Sequence, residues 1–68
     1  MPEQLVNRLK EARAARGLTQ QDLATRVGVS RKTINTIENG VFVPSTVLAL
    51  KLAKTFQTTV ERLFELGE

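Results

Sequence analysis

Residues 19–40 of the chain have the sequence Thr19-Gln-Gln-Asp-Leu-Ala-Thr-Arg-Val-Gly-Val-Ser-Arg-Lys-Thr-Ile-Asn-Thr-Ile-Glu-Asn-Gly40. This segment predicts two short helices joined by a tight turn. Thr19 is a favoured N-cap residue, and Asp22 lies three positions later, in a shortened form of the capping box. Gly28 can adopt the left-handed backbone conformation that ends a helix, so we expect the first helix to end at Val27.

Ser30 is expected to cap the second helix, which covers about residues 31–39 and is stopped by Gly40. At helical spacing, Ile34 and Ile37 fall on one face, which can pack against the rest of the protein. The other face carries polar side chains that are free to contact a ligand: Arg31, Lys32, Asn35 and Thr36.

The charge at the start of this second helix is unusual. A helix N-terminus carries roughly +0.5 of an elementary charge, so stability alone would favour Asp or Glu in the first turn. Here the first turn carries Arg31 and Lys32 instead. We therefore expect the compensating negative charge to come from outside the chain. A cationic first turn presented to phosphates and base edges is typical of a helix that enters the DNA major groove.

The same segment resembles the helix-turn-helix of the Cro and phage-repressor type, the XRE family. The matching positions are Leu18, Gln20, Leu23, Ala24, Gly28, Ile34, Ile37 and Gly40. A small residue at 24 lets the two helices cross closely, and Gly28 permits the turn between them. The resemblance implies an all-α, five-helix bundle of the lambda-repressor-like type that binds double-stranded DNA.

Four residues of the second helix are candidates for base contacts. Arg31 and Lys32 could donate hydrogen bonds to guanine O6 and N7, and Asn35 could contact adenine or a neighbouring base edge. Thr36 could contact a thymine methyl group or a phosphate. For each of the four, the alternative is an ordinary solvated helix surface.

The resemblance also implies contacts with the DNA backbone and one structural pair. In the family, the residue that matches Gln20 contacts a phosphate through its side chain and its backbone amide. Thr33 could contact a phosphate or support the Ser30 cap, and Asn39 resembles the family's phosphate clamp, although Asn before Gly is also a common helix end. Family members pair the arginine that matches Arg13 with the glutamate that matches Glu38, so we interpret the two as a structural pair; the alternative for Arg13 is a DNA contact.

The composition limits the possible functions. The 68 residues predict a single domain, covering 1–68, and they include neither Cys nor His, so we expect no disulfide, no zinc site and no cofactor. A single Asp and the lack of a glycine-rich phosphate loop argue against an enzyme. No apolar stretch is long enough for a membrane span or a leader, which indicates a cytoplasmic protein.

The net charge of +3 is concentrated in the first part of the chain. Residues 1–40 hold seven Lys or Arg and four Asp or Glu, whereas residues 41–68 hold three of each. The basic surplus therefore coincides with the helix-turn-helix segment, as expected of a nucleic-acid-binding protein. Charge alone would equally fit a solvated basic surface.

Outside this segment, three further helices are expected. After a loose start at residues 1–4, apolar residues at helical spacing predict a helix from Leu5 to Arg16, which precedes the two helices of the helix-turn-helix segment. A fourth helix, capped by Ser45 and running to about Phe56, is apolar nearly all round and should lie at the centre of the fold. Family members often have Gly where Gln57 stands. A last helix should begin near Thr58 or Thr59 and carry the apolar residues Val60, Leu63, Phe64 and Leu66.

The apolar residues near the C-terminus suggest how two copies could associate. Phage repressors of this type dimerise largely through a second domain that this sequence does not contain, so we expect a homodimer formed by the domain itself, within residues 45–66. Phe64 and Leu66 are the candidates for a two-fold interface, with Val60 or Phe42 as further contributors. Phe64 could equally complete the core.

Three functions remain open at this stage. The first is a sequence-specific transcriptional regulator, a repressor more than an activator, that binds a pseudo-palindromic operator. The second is an antitoxin-like module that keeps the fold to hold a protein partner of unknown identity; the polar face of the second helix lacks the apolar anchors that such a role needs. The third is RNA binding, which the lack of Trp and Tyr disfavours.

Overall fold

The computed structural model describes residues 4–67, and in this range the chain forms five helices and one two-stranded antiparallel sheet. The elements in chain order are β1 Gln4–Asn7, α1 Leu9–Ala15, α2 Gln20–Val27, α3 Arg31–Glu38, α4 Thr46–Thr55, α5 Val60–Leu63 and β2 Phe64–Gly67. The five expected helices are present. The expectation of a purely all-α fold is wrong, because two short strands join the ends of the helical domain.

Both ends of the chain therefore differ from the sequence expectation. Residues 4–7 pair with residues 64–67 in the register Gln4 to Gly67, Leu5 to Leu66, Val6 to Glu65 and Asn7 to Phe64. The first helix begins at Leu9 rather than Leu5, and the last helix ends at Leu63 rather than continuing to Leu66. Of the expected loose start, residues 1–3 lie outside the described residues, whereas Gln4 is the first residue of β1.

Asn7 explains why the first segment is a strand followed by a helix. Its side-chain oxygen Oδ1 accepts a hydrogen bond from the backbone N–H of Leu9 at 3.2 Å, which occupies one of the free donors at the start of α1. Its Nδ2 donates to the backbone oxygen of Ile37 at 3.0 Å. The backbone N–H of Arg8 donates to the oxygen of Leu63 at 2.8 Å. These bonds fix the residues before Leu9 against distant parts of the chain and stop α1 from starting earlier.

The ends of α2 and α3 agree with the sequence prediction. The Thr19 hydroxyl accepts from the backbone N–H of Asp22, and the Asp22 carboxylate accepts from the N–H of Thr19, so the capping box is confirmed. Gly28 has a φ of 75°, in the left-handed region. Ser30 caps α3 through its hydroxyl, and α3 ends at Glu38, one residue earlier than expected.

The turn after α4 has the same geometry without a glycine. Gln57 has a φ of 53°. The N–H of Gln57 donates to the oxygen of Lys54 at 3.0 Å, and the N–H of Thr58 donates to the oxygen of Ala53 at 2.9 Å. These two bonds are the Schellman pattern, which normally has Gly at the left-handed position. The chain therefore accepts local backbone strain at Gln57 to end α4 there.

The core is formed by apolar residues from all five helices and from β2. Its buried members are Leu9, Leu23, Ala24, Val27, Ile34, Ile37, Leu48, Ala49, Leu52, Ala53, Phe56, Leu63 and Phe64. The expectation that α4 lies at the centre of the fold is met on one face only: Leu48 and Leu52 are buried, whereas Val47 and Leu50 remain 63% and 57% exposed. A chain of this size has too few elements to cover both faces of a central helix.

Among residues 4–67, no helix combines the length and the hydropathy needed to cross a membrane.

Candidate nucleic-acid interface

Helix α3 is held by one face and exposes the other. Ile34 and Ile37 are 0% and 1% exposed, and they fix α3 in the core beside α2. Arg31, Lys32 and Asn35 lie on the opposite, exposed face. Three of the four residues whose periodicity predicts an outward orientation are therefore exposed, and they are carried by a rigid element rather than by a loop.

The first turn of α3 has an unbalanced positive charge. The Ser30 hydroxyl accepts from the N–H of Thr33 at 3.1 Å, and α3 has no acidic residue in its first turn. Within residues 4–67, the side chains of Arg31 and Lys32 take part in no hydrogen bond and no ion pair. Two cations therefore add to the positive end of the helix macrodipole, which makes this end of α3 an anion-attracting surface.

The N-terminus of α2 lies beside the same face. Gln20, Arg31, Lys32 and Asn35 line a shallow depression of about 330 Å³. Gln20 is the first residue of α2, and its backbone N–H has no hydrogen-bond partner within residues 4–67. A free N–H at a helix start, next to two cations, is suited to a phosphate oxygen.

Arg13 and Glu38 form a bidentate pair behind this surface. Arg13 Nε donates to Glu38 Oε2 at 2.7 Å and Nη2 donates to Oε1 at 3.3 Å, while Nη1 donates to the backbone oxygen of Leu18 at 2.8 Å. The side chains are 15% and 3% exposed, respectively. The hydrogen bond to Glu38 raises the pKa of Arg13 above its ordinary value. The pair ties α1 to α3, and all three nitrogens of the Arg13 side chain donate to acceptors within the protein.

Gln20 has contacts that the sequence did not indicate. Its Nε2 donates to Asn35 Oδ1 at 3.2 Å and to Glu38 Oε1 at 3.1 Å. In this arrangement both amide hydrogens of the Gln20 side chain are engaged within the protein, and its phosphate contact stays a prediction. No local signal predicts these bonds, since the partners lie 15 and 18 residues away.

The two threonines of α3 are less available than expected. Thr36 is half-buried, and its hydroxyl donates to the backbone oxygen of Thr33 at 2.9 Å. The Thr33 hydroxyl lies 3.0 Å from that of Ser30, which favours its role in the cap. Asn39, at the C-cap of α3, is exposed. Of these three residues, Asn39 has the most accessible side chain.

The two residues expected at an interface between copies lie in different environments. Phe64 is 6% exposed and belongs to the core, which agrees with the alternative that it completes the core; it pairs with Asn7 in the sheet. Leu66 is 67% exposed. Leu66 forms part of what we call the apolar surface, whose other exposed members are Phe42, Val43, Val47 and Leu50.

Two members of the apolar surface, Val43 and Leu50, line one groove. It has a volume of about 250 Å³ and is lined by Leu5, Val43 and Leu50, among others. Leu66 is the cross-strand neighbour of Leu5 and therefore lies on the same side of the sheet. Val43 and Leu50 thus line one depression, and Leu66 lies beside Leu5, which lines it too.

A comparison with known proteins agrees with this geometry. The helix-turn-helix family model matches residues 9–63, which include α1 to α5. The chain belongs to the helix-turn-helix family of the Cro and phage-repressor type. This family consists of DNA-binding transcriptional regulators, which in general are not enzymes.

Relatives with similar sequences have similar lengths. The helix-turn-helix transcriptional regulator MJ0272 of Methanocaldococcus jannaschii is 52% identical over 58 residues, which are 85% of this chain and 88% of the relative. The regulator YgzD of Bacillus subtilis is 47% identical over 62 residues, which are 91% of this chain and 94% of the relative. Neither has a characterised function.

Among solved structures, the restriction-modification controller protein C.AhdI of Aeromonas hydrophila is similar to this helix-turn-helix chain. The TM-score is 0.78 at 38% identity, and the match covers 84% of this chain and 86% of the other. The similarity thus extends over most of both chains.

Proposed function

We propose that the protein binds specific sequences of double-stranded DNA as a homodimer and regulates transcription there, as a repressor of promoters that its operator overlaps. One observation carries the proposal: Arg31 and Lys32 occupy the exposed, positive end of α3 without an acidic partner among residues 4–67. The uncompensated positive charge destabilises α3 in the free protein. It is neutralised when the helix lies against the phosphates and bases of a major groove.

The base contacts are assigned to the exposed face of α3. Arg31 and Lys32 donate to guanine O6 and N7, which is the commonest specific contact in the major groove. Asn35 lies one turn after Arg31 and contacts the neighbouring base pair. Thr36 is half-buried, so we assign it a minor contact, through its methyl group.

The backbone contacts are assigned to groups around that face. The unpaired backbone N–H of Gln20 donates to a phosphate oxygen at the start of α2. Asn39 donates to a second phosphate from the end of α3, and Thr33 contributes from its first turn. Such contacts set the position of the protein on the duplex but do not depend on sequence.

The apolar surface supplies the dimer interface. Its five side chains are each about half exposed or more. Side chains of this size present on the order of 100 Å² each. Together the five supply a large share of the roughly 800 Å² that each partner buries in a standard interface. Leu66 takes part, as the sequence predicts, whereas Phe64 supports it from the core. A two-fold axis through this surface makes the contact self-complementary.

The symmetry of the dimer determines the form of the operator. Two copies of α3 in successive major grooves lie roughly 34 Å apart, which corresponds to half-sites about 10 base pairs apart from centre to centre. A pseudo-palindrome with this spacing is therefore expected.

The test is selection of bound sequences from a random DNA pool at about physiological salt, where non-specific phosphate attraction is reduced. Recovery of a two-fold symmetric motif with this spacing supports the proposal. Uniform, salt-sensitive binding to every sequence contradicts it and favours a role in holding a protein partner, which a pull-down would then address.

Substitution of Arg31 tests the base assignment. Arg31→Ala should reduce discrimination at one base position by about 1 to 3 kcal/mol. Lys10→Ala is the matched control, since it removes an exposed cation from the first turn of α1. It should weaken binding to all DNA sequences slightly and to the same extent. Equal weakening of operator and random DNA by Arg31→Ala would remove Arg31 from the base-contacting set.

Substitution of Leu66 tests the interface. Leu66→Lys should produce monomers in sedimentation experiments while the helical circular dichroism signal is kept. Val6→Lys is the control, since Val6 lies in the same sheet with its side chain on the opposite side. An intact dimer in the Leu66 variant would place the interface elsewhere.

A further inference from the structure

A continuous hydrogen-bonded network crosses three helices and ends at the exposed face of α3. Arg13 in α1 binds Glu38 in α3, Glu38 accepts from Gln20 in α2, and Gln20 donates to Asn35, again in α3. The side chains of Arg13 and Glu38 are largely buried, whereas Asn35 is exposed. The network thus links a buried ion pair to a side chain that is assigned to contact a base.

The chemistry of this network fixes the orientation of each amide. Glu38 forms an ion pair with Arg13, and a carboxylate only accepts hydrogen bonds, so the Gln20 atom 3.1 Å from it must be the NH₂ nitrogen. The same nitrogen is 3.2 Å from Asn35. A donor requires an acceptor opposite it, so the Asn35 atom at that point is Oδ1 rather than Nδ2. The orientation of Asn35 is therefore determined by a carboxylate that it does not contact.

We infer that Gln20 is a positioning residue for base recognition: its side chain locks the Asn35 amide with the Nδ2 donor directed away from α2, towards the DNA. The inference rests on the proposed function. It gives the Gln20 side chain a different role from a phosphate contact, which remains with the Gln20 backbone N–H.

The locked orientation has a consequence for specificity. In the major groove guanine presents N7 and O6, adenine presents N7 and thymine presents O4 as acceptors, whereas cytosine presents only its N4 donor. An outward NH₂ group can donate a hydrogen bond to guanine, adenine or thymine and is repelled by the N4 donor of cytosine. The lock therefore excludes cytosine at the base that faces Asn35, whereas an amide free to rotate would accept a hydrogen bond from it.

The phosphate interpretation of the side chain makes a different prediction. With both N–H groups engaged, the remaining group of the Gln20 side chain is its carbonyl oxygen, an acceptor that a phosphate does not bind. A phosphate contact affects all sequences equally, whereas positioning of Asn35 changes the preference at one base pair. The two roles are thus separable by measuring sequence preference rather than affinity.

The experiment uses the full chain and compares binding to the selected operator with binding to operators that carry each of the four bases at every position. Asn35→Ala identifies the position that Asn35 reads. Gln20→Met keeps the length of the side chain and removes its donors. Gln21→Met is the matched control: Gln21 lies in the same helix, is exposed, and bonds to Thr25 instead.

We expect Gln20→Met to reduce the discrimination against cytosine at the Asn35 position by about tenfold, within the range of a single good base contact, with other positions unchanged. Gln21→Met should change nothing, and Gln20→Met should have no further effect on that discrimination in the Asn35→Ala background. A uniform loss at all positions with Gln20→Met, or an unchanged preference, overturns the inference. If the unaltered protein selects no motif at all, it is the proposed function that fails.

Discussion

Removal of Arg13 tests the buried ion pair that supports α3. In Arg13→Met most of the side-chain volume is kept, but the Glu38 carboxylate loses its cation. Glu38 is 3% exposed and accepts two hydrogen bonds from Arg13, so only the neutral N–H of Gln20 remains to it. The backbone oxygen of Leu18 also loses its donor. The variant leaves a charge away from water with one weak partner.

The structure indicates the size of the effect. Breaking a buried pair by removing one partner costs about 3 to 5 kcal/mol, and the lower end applies because Arg13 is 15% exposed and water can enter where it lay. A domain of this size has a total stability of roughly 3 to 10 kcal/mol. A loss of about 3 kcal/mol lowers the melting temperature by roughly 10 to 20 °C.

Thermal and urea unfolding, followed by circular dichroism at one fixed protein concentration, measure this loss, since the stability of a dimer depends on concentration. Arg8→Met is the matched control: Arg8 pairs with Glu65, but the side chains are 47% and 51% exposed, so a loss of 0 to about 1 kcal/mol is expected. If the two variants lose equal stability, burial does not strengthen the Arg13 pair and the reasoning is refuted.

Three further changes have defined outcomes. Gln57→Gly should raise the free energy of unfolding in urea by about 0.5 to 1 kcal/mol, because Gln57 has a φ of 53°; a loss would show that its side chain matters more than the strain. Hydrogen bonds from the backbone N–H and the hydroxyl of Thr19 lower the pKa of Asp22, so its stabilising effect is present at neutral pH and disappears as the pH falls below about 4. The difference in melting temperature between Asp22→Asn and the unaltered protein should therefore shrink from pH 7 to pH 3, and a constant difference would contradict this. Arg31→Glu should stabilise the free protein by about 0.5 kcal/mol while it abolishes operator binding, whereas Lys10→Glu should stabilise it similarly and keep binding; destabilisation by Arg31→Glu would argue against the dipole explanation.

The ends of α2 and α3 could be predicted from sequence because their signals are local. Thr19 and Ser30 each bond to a backbone N–H three residues later, and Gly28 closes α2 at its own position. Nothing distant needs to be known for these features. The same holds for the exposed face of α3, since the positions of Ile34 and Ile37 determine which residues point outward.

The sheet could not be predicted in this way. Leu5, Leu9 and Ala12 have the spacing of a helix face, and a strand of four residues is too short for its alternation to stand out. What makes residues 4–7 a strand is pairing with residues 64–67 at the other end of the chain, together with the bonds of Asn7. The sequence leaves open whether Phe64 lies in the core or at an interface between copies, because its burial depends on the same pairing.

The environment of α4 shows a second limit. Its sequence is apolar on nearly every side, which is the pattern of a central helix, yet Val47 and Leu50 are exposed. The sequence identifies the side chains that favour burial, but it does not show whether the same chain provides a surface that buries them. The apolar surface is thus a property of the sequence that a single copy leaves uncovered.

The candidate site combines a predictable face with an unpredictable network. Periodicity shows that Asn35 points outward, but its amide orientation depends on Gln20 and Glu38, which meet it only because α2 crosses α3. Glu38 is in turn fixed by Arg13 from α1. A base-contacting side chain on an exposed helix face would otherwise be free to rotate. The ion pair therefore does more than connect two helices: Glu38 fixes the orientation of the Gln20 amide, and Gln20 in turn fixes that of the Asn35 amide.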